Sequence, residues 1–391
     1  MGAPRADDEL EPVAAADETW SVYFRPGRLI FGRSALERLG ELVRDLSPTR
    51  VLLVTDPGVR AAGHVDRAAA SLARAGVQHV VFDGVANNPT TRHVGDGLRV
   101  AEAFRPDGIV GLGGGSSMDC AKGINFLYTN GGRMEDYWGS DKASRPMLTS
   151  IGVPTTAGTG SEAQSYALIA QEDTGAKMAC GDPKARFAGV ILDPELLSTA
   201  PRSVREVSAI DALSHAVESY VSTRRNPVST LFAREAWRLL GSTLERSLGD
   251  PHDVEAGGRM LLGAHYAGLA IEHSMLGAAH ACANPLTARF GVVHGIAVGV
   301  MLPHVVAFNR SAVGELYAEL ERVETLPPRT LEQRLRALGA ACGLPERLRD
   351  CGVPHAALEE LAAAAAMQWT AGFNPRRVTE RELQELYRAA Y

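Results

Sequence analysis

The chain has 391 residues, of which 45% are hydrophobic and 22% are charged, proportions that are typical of an ordinary soluble globular protein and exclude a disordered or fibrous one. Single hydrophobic cores stop growing near ~250–300 residues, so this length favours two domains. The formal net charge of -6 provides no broad basic surface, and we therefore expect neither a nucleic-acid partner nor an anionic membrane partner.

The N-terminal composition, the cysteines and the apolar stretches bear on cellular location. Residues 1–18 are acidic and lack the features of a signal peptide, so we expect a disordered tail there. The five cysteines are scattered without a Cys-x-x-Cys pair, which is typical of a reducing compartment and predicts a cytoplasmic protein. The most apolar later stretch, residues 295–308, is interrupted by Pro303 and His304 and is too short to span a bilayer. No membrane segment is expected.

From residue 20 onwards the pattern predicts alternating strands and helices. A strand and hairpin are predicted around Pro26 and Gly27, and each later strand is a short apolar run that is typical of a parallel strand buried on both faces. The predicted strands are 20–24, 28–32, 51–56, 79–82 and 108–112, and the predicted helices include 35–46 and 94–104. This alternation favours a doubly wound parallel sheet, which binds nucleotides at the carboxyl ends of its strands.

The strand at 108–112 runs into a glycine-rich turn that starts at Gly113 and leads into a helix near Ser116. Glycines let a backbone approach a ligand closely, and the first N–H groups of a helix point at whatever lies there. A pyrophosphate fits such a turn. The alternative is that the glycines serve only a tight strand-to-helix turn, since the run matches neither Gly-x-Gly-x-x-Gly nor a phosphate-binding loop ending in Gly-Lys-Ser/Thr.

A second glycine-rich loop, residues 155–162, carries several hydroxyl groups after an apolar strand. These hydroxyls either line a polar cofactor channel or only satisfy local backbone groups. After Pro201 the strand signals stop and nearly all of the remaining sequence is helical in pattern. We therefore place a domain boundary near residue 200, with a dinucleotide-binding domain over 19–200 and a helical metal- and substrate-binding domain over 201–391.

One carboxylate and three imidazoles in the second half have spacings that suit a metal. Asp211 and His215 are four residues apart in a helical pattern, so both project from one helix face. His280 and His294 lie in apolar, small-residue sequence, where an unpaired imidazole is costly to bury. Three nitrogens and one carboxylate suit Fe(II) or Zn(II) better than Mg or Ca. The alternative for any one of these histidines is a hydrogen-bonded core residue.

Several ordered motifs together resemble the iron-containing, or group III, alcohol dehydrogenases. The similarity runs from about Trp20 to Arg376, and its motifs are Gly113–Ser116 with Asp119 and Lys122, 154–162, 211–218 and 302–305. The resemblance implies a Rossmann-like N-terminal domain with a parallel sheet, followed by an all-α metal-binding domain, as in the fold of dehydroquinate synthase. It also implies a divalent metal held by one Asp and three His, and the matching positions are Asp211, His215, His280 and His294.

The resemblance further implies reversible hydride transfer between an alcohol carbon and C4 of a nicotinamide, with the metal acting as a Lewis acid on the alcohol oxygen. Iron is the expected metal, with zinc as an alternative, and a homodimer or higher homo-oligomer is the expected assembly. A small alcohol, aldehyde or ketone is the expected substrate. The implied cofactor-cleft residues are Asn88, Gly114, Gly115, Ser116, Asp119, Thr155, Thr156, Thr159 and Ser161.

Asp56 closes the first strand of the nucleotide-binding domain, where relatives place the residue nearest the adenosine ribose. A carboxylate there accepts hydrogen bonds from ribose hydroxyls and repels a 2′-phosphate, so NAD is expected over NADP. The alternative is a helix-capping aspartate before Pro57.

One position departs from the family pattern. Many members have a further histidine four residues after the third metal ligand, where this chain has Asn284. Asparagine hydrogen-bonds but does not exchange a proton near neutral pH. His273, seven residues before His280, is the candidate to share the metal face and take over a catalytic role.

Two alternatives to the dehydrogenase function are a sugar-phosphate cyclase resembling dehydroquinate synthase and a non-catalytic dinucleotide-binding protein. Phosphate elimination needs convergent cations, yet the only cationic side chains between His252 and Asn309 are Arg259 and Arg289. A neutral or weakly polar substrate fits this segment better. Asn284 is the one feature that favours the non-catalytic alternative, and the four intact ligands count against it.

Overall fold

A computed structural model of the chain describes residues 27–323 and 329–391. The predicted acidic tail at 1–18 and the predicted strand at 20–24 lie outside the described residues. The described strands are β1 (Arg28–Phe31), β2 (Arg50–Val54), β3 (Gln78–Phe82), β4 (Gly108–Gly113), β5 (Gly139–Ser140), β6 (Thr149–Pro154), β7 (Tyr166–Ala170), β8 (Lys177–Gly181) and β9 (Gly189–Leu192).

The described α-helices fall into two groups, one before and one after β9. The helices before it are α1 (Leu39–Asp45), α2 (Pro57–Ala61), α3 (His64–Arg74), α4 (Thr91–Phe104) and α5 (Gly115–Asn130). Those after it are α6 (Arg202–Val221), α7 (Pro227–Gly241), α8 (Leu244–Gly249), α9 (Val254–His273), α10 (Ala278–Phe290), α11 (His294–Val323), α12 (Leu331–Ala341), α13 (Leu358–Ala366) and α14 (Glu380–Ala389). The predicted helix at 35–46 begins as a 3-10 turn before α1.

Six strands form one parallel sheet in the order β1-β9-β6-β4-β2-β3. Alternate residues of each strand enter the cores on opposite faces: Leu52 and Val54 pack on the side of α4 and α5, whereas Val51 and Leu53 pack on the side of α1 and α3. This two-sided burial explains the continuous apolar runs of the sequence. The predicted parallel sheet is confirmed. Among the described residues, β1 pairs only with β9 and in parallel.

A second sheet, which the sequence pattern did not predict, has the order β5-β8-β7. Strands β7 and β8 form an antiparallel ribbon with Tyr166 opposite Gly181 and Ala170 opposite Lys177. The inner face of the ribbon is buried against the α4 and α5 core. Its outer face, which includes Tyr166 and Lys177, is half-buried or exposed.

After β9 the described residues contain helices and no strand, as the sequence predicted. The domain boundary near residue 200 falls between the end of β9 at Leu192 and the start of α6 at Arg202, and it stays a prediction. The core of this half is the largest in the chain and includes the buried second half of α6, residues 209–221.

Helix α11 is the one described helix that is long and apolar enough to cross a membrane by length and composition. Its buried side chains, among them Val298, Met301 and Val305, belong to the helical core. Pro303 lies inside the helix, and Val313 has non-helical dihedral angles that mark a kink. The core contacts account for the apolar composition of this helix.

Candidate metal and cofactor site

Helix α6 presents three buried ionisable side chains on one face. Asp211, His215 and Glu218 follow one another at intervals of four and three residues, which brings them onto the same side of a helix. All three are at least 94% buried. Asp211 and His215 were predicted as ligands from the sequence, and Glu218 lies directly beside them in this row.

Helices α10 and α11 bring two further imidazoles to this face. The Nε2 atoms of His215, His280 and His294 lie 3.4, 3.6 and 3.7 Å from one oxygen of Asp211, its Oδ1. The His280 ring lies between the other two, with ring centroids 5.0 Å from His215 and 5.4 Å from His294. The structure therefore brings all four predicted metal ligands together.

The cluster has the properties expected of a cation site. Asp211 Oδ1 and His280 Nε2 are buried and have no hydrogen-bond partner within the described part of the chain, an arrangement that is costly unless a cation pairs with them. One ligand atom from each of Asp211, His215 and His280 lies within 4.8 Å of the others. The side chain of His294 is 27% exposed, against 9% or less for the other three. The cluster is therefore most accessible at His294.

The charges in the cluster suit neutral imidazole ligands around a carboxylate. Burial opposes ionisation of Asp211, but the surrounding imidazoles outweigh it and hold the pKa of the carboxyl well below its usual range. Desolvation lowers the pKa of His215 to about 4 and that of His294 to about 3. Burial also opposes protonation of His280, yet the carboxylates of Glu218 and Asp211 raise its pKa to about 9.

Glu218 is a functional candidate that the sequence analysis did not single out. His280 Nδ1 donates to Glu218 Oε2, and the backbone N–H of Ala279 donates to Glu218 Oε1 over 2.7 Å. The first of these bonds leaves His280 Nε2 directed at Asp211. Its signal in the sequence is the three-residue spacing from His215 along α6.

Asn374, from the C-terminal Asn-Pro-Arg motif, holds the same end of α10. Its Oδ1 accepts from the backbone N–H of Ala278 over 3.3 Å, and its side chain exchanges two hydrogen bonds with that of Asn309. A side chain at Gly277 would approach the oxygens of both Glu218 and Asn374 to 3.0 Å. The start of α10 is thus packed directly against the groups that orient His280.

The two glycine-rich loops of the sequence meet at the carboxyl ends of β4 and β6. The N–H of Thr155 donates to the carbonyl of Gly113 over 2.9 Å, and Gly113 has a φ of +151°, which glycine readily adopts. A Cβ at Gly115 would lie 2.6 Å from the Thr159 side chain. Gly114 and Ser116 flank Gly115 at the start of α5, and Thr156 is the side-chain neighbour nearest Gly114.

Asp56 acts as the cap that the alternative interpretation described. Its Oδ1 accepts from the backbone N–H groups of Gly58 and Val59, each over 3.0 Å, at the start of α2. Its Oδ2 accepts from Ser117 Oγ over 3.1 Å, which ties Asp56 to the first turn of α5. These capping contacts do not test whether Asp56 also binds a ribose, so its ribose-binding role stays a prediction. Asn88 is exposed, has a φ of +53° and follows β3.

Asp119 and Ser161, two predicted cofactor residues, take part in a buried network around Lys122. Ser161 Oγ donates to Asp119 Oδ1 over 2.6 Å, and Lys122 Nζ donates to the carbonyls of Ser161 and Tyr166 over 2.8 and 2.7 Å. Burial raises the pKa of Asp119 and lowers that of Lys122. These described contacts join α5 to the threonine loop and to β7.

The expectation that His273 shares the metal face rested on its helical spacing from His280. It assumed a continuous helix to His280, but α9 ends at His273 and α10 begins at Ala278. Burial lowers the pKa of His273, and the charged groups acting on it are Arg186 and Glu272. The two-turn helical relation to His280 is therefore absent, and the catalytic role of His273 stays a prediction.

Asn284, the other predicted catalytic residue, lies one helical turn after His280 on α10. Its Nδ2 donates to Gln368 Oε1 over 3.0 Å. This contact links the helix that carries a metal ligand to the segment after α13.

Lys177 on β8 is a further candidate that the sequence analysis did not identify. Its side chain is exposed on the outer face of the ribbon. Beside the larger effect of burial, its positive charge acts to lower the pKa of Asp119 and of His294.

Comparisons with known proteins agree with this architecture. Residues 26–194 match the model of the iron-containing alcohol dehydrogenases, and residues 206–391 match the C-terminal model of the same family. The 1,3-propanediol dehydrogenase of Citrobacter freundii is 34% identical over 380 residues, which cover 94% of this chain and 98% of that protein. The NAD-dependent methanol dehydrogenase of Bacillus methanolicus is 31% identical over 377 residues, which cover 94% and 99%.

A crystal structure of 1,3-propanediol oxidoreductase superposes with a TM-score of 0.92 at 32% identity, and the match covers 95% of this chain and 100% of that one. The predicted fold and the predicted enzyme class, an alcohol oxidoreductase, are confirmed. The cyclase and the non-catalytic alternatives are not favoured. The chain belongs to the iron-containing alcohol dehydrogenase family.

Proposed function

We propose that this protein catalyses reversible, metal-assisted hydride transfer between the C4 atom of NAD and a small alcohol, with an aldehyde or ketone as the oxidised product. The observation that carries the proposal is the buried cluster of Asp211, His215, His280 and His294, in which Asp211 Oδ1 and His280 Nε2 have no described hydrogen-bond partner. The predicted cofactors, NAD and iron, are confirmed by family membership and by the NAD-dependent relative.

In this proposal Asp211, His215, His280 and His294 hold the metal, and Zn(II) also suits the ligand set. When bound, the metal supplies Lewis acidity to the alcohol oxygen. Glu218 keeps His280 in the tautomer that presents Nε2. The partial exposure of His294 marks the side from which the alcohol reaches the cluster.

The two glycine-rich loops hold the cofactor in this proposal. Gly114, Gly115 and Ser116 at the start of α5 present free backbone N–H groups to the pyrophosphate. Gly115 packs so closely against Thr159 that an added Cβ would lie 2.6 Å from its side chain, which holds the threonine loop against the start of α5. Thr155, Thr156 and Thr159 contact the adenosine and nicotinamide halves, and Asn88 lines the cleft beyond β3.

The substrate class rests on the relatives and on the charges of the site. The two relatives described above act, by their names, on 1,3-propanediol and on methanol. Between His252 and Asn309 the cations are again Arg259, which bonds to Ser242 and Thr243, and Arg289, which pairs with Glu360. We therefore propose a small uncharged alcohol, handled by a cytoplasmic homodimer or higher homo-oligomer.

The proposal is tested with anaerobically purified protein, whose metal content is measured and whose NADH absorbance is followed with a panel of alcohols and aldehydes. We expect about one iron or zinc ion per chain and a net change in NADH. A cyclase would use NAD without net change, and a non-catalytic protein would bind NAD without turnover. Either result contradicts the proposal.

Asp56 offers a test of cofactor choice in which the cap is kept. Asparagine caps helices about as well as aspartate, so Asp56→Asn removes the charge with little loss of stability. Two unit charges 4 Å apart in water interact by about 1 kcal/mol, so we expect the NADP-to-NAD ratio of kcat/KM to rise about fivefold or more. Asp66→Asn, at an exposed position on α3, is the control. An unchanged ratio would mean that Asp56 serves only as a cap.

A further inference from the structure

The outer face of the β7–β8 ribbon lies at the junction between the two halves of the chain, here called the cleft, because the ring of Tyr166 on this face is 5.8 Å from that of Trp369. Directly opposed residues of an antiparallel pair share a face, so Tyr166, opposite Gly181, and Lys177, opposite Ala170, lie on the same side. The inner face is buried in the core.

Tyr166 is held in place on this face from three sides. Its carbonyl accepts from Lys122 Nζ over 2.7 Å, and its hydroxyl lies 3.2 Å from Ser140 Oγ. Its ring covers Gly181, where an added Cβ would lie 2.3 Å from a ring carbon. The ring is therefore a rigid apolar surface on the N-terminal side of the cleft.

Trp369 meets Tyr166 from the C-terminal half. The two ring centroids are 5.8 Å apart, and Phe373 packs edge-on against Trp369 at 6.0 Å. Despite these contacts Trp369 remains 46% exposed. An aromatic side chain that is ordered by its neighbours and half open offers a surface to a ligand.

The segment carrying Trp369 is linked to the metal cluster. Asn284 follows His280 by one helical turn on α10, and residues at that spacing share a helix face. The Asn284 side chain bonds to Gln368, the residue directly before Trp369. The aromatic pair therefore lies on the side of the cleft reached from His280 along α10.

We infer that Tyr166 and Trp369 form the apolar wall of the substrate pocket and that the preferred alcohols carry an uncharged aliphatic chain or ring that packs on it. This inference rests on the proposed dehydrogenase function. Arg186 is paired with Glu272. Tyr166 and Trp369 carry no charge themselves, and the backbone of Lys177, the cation on the same face, is four residues along the ribbon from Tyr166, about 13 Å.

The inference predicts a change in substrate preference in Trp369→Ala. We expect kcat/KM for 1-hexanol to fall about tenfold or more, mainly through KM, because an apolar contact away from the reacting carbon binds ground state and transition state alike. For ethanol, whose two carbons offer little apolar surface to the wall, the change should be within about threefold. Tyr166→Leu, a change in the N-terminal half of the chain, should also lower the ratio of kcat/KM for 1-hexanol to kcat/KM for ethanol. Trp369→Phe should retain most of the preference for 1-hexanol.

Met367→Ala is the matched control, since Met367 is two residues from Trp369 and 84% exposed. Metal content and melting temperature are measured for every variant, so that a folding defect is seen separately. An unchanged hexanol-to-ethanol ratio in Trp369→Ala and Tyr166→Leu overturns the inference, as does a higher ratio, which would make the pair a steric barrier. A wild-type protein inactive with every alcohol would instead contradict the proposed function.

Discussion

The His280→Ala variant is expected to lose most of its bound metal and at least ~10³-fold of its turnover. A Lewis-acid metal supplies several kcal/mol of transition-state stabilisation, and each 1.36 kcal/mol corresponds to a factor of ten in rate. His280 is central in the cluster, because its ring stacks on that of His215, contacts that of His294 at a tilt, and directs its Nε2 at Asp211. Metal per chain, from elemental analysis, and kcat are the two measurements.

His252→Ala is the control for this experiment, because His252 is an exposed histidine outside the cluster. Circular dichroism and gel filtration establish that both variants are folded. Full metal occupancy in folded His280→Ala would contradict the assignment of His280 as a ligand. Retained occupancy with lost turnover would mean that the imidazole acts on the substrate instead of holding the metal.

Glu218→Ala is expected to weaken metal affinity by about 10–100-fold, the usual effect of removing a hydrogen-bond partner of a ligating histidine. The change also leaves His280 Nδ1 and the N–H of Ala279 without their acceptor. Loss of one member of a buried charged pair costs about 3–5 kcal/mol of stability. Glu218→Gln retains a carbonyl oxygen for one of these donors, so we expect a smaller loss of both affinity and stability.

Chelator competition measures the affinity, and urea unfolding of the metal-free protein measures the stability. Glu206→Ala is the control on the same helix, where Glu206 pairs with the exposed Arg202 and such pairs contribute about 0–1 kcal/mol. A purely structural role for Glu218 would lower the free energy of unfolding but leave the metal affinity of the folded protein unchanged. That outcome would remove Glu218 from the metal site.

Much of the parallel sheet was predictable because its strands are continuous apolar runs separated by helical periodicity. The run at 51–56 became β2, and the run at 108–112 became β4. The β5-β8-β7 sheet was not predicted. Its β5 has two residues, and β8 has only three consecutive apolar residues between Lys177 and Gly181. Strand β7 is an apolar run of five residues, so its sequence did carry a signal that was not used.

The candidate site was likewise predictable from the sequence only in part. Asp211 and His215 could be paired from the sequence because residues four positions apart on one helix project from the same face. His273 illustrates the limit of that rule, since its expected relation to His280 depended on a helix that ends between them. The spacing of two residues in the sequence predicts that they share a helix face only while the helix between them is unbroken.

The sequence by itself determined the alternating architecture, the glycine-rich turn, the half-site on α6 and, through its resemblance to a family, the four candidate ligands. Only the tertiary structure decided that His280 and His294 lie against Asp211, that Glu218 orients His280, and that Tyr166 meets Trp369. Hydrophobic periodicity and turn residues depend on neighbours within a few positions and can therefore be recognised in the sequence alone. Contacts between segments up to about 200 residues apart arise only when helices and sheets pack, and they depend on the shapes of both surfaces at once.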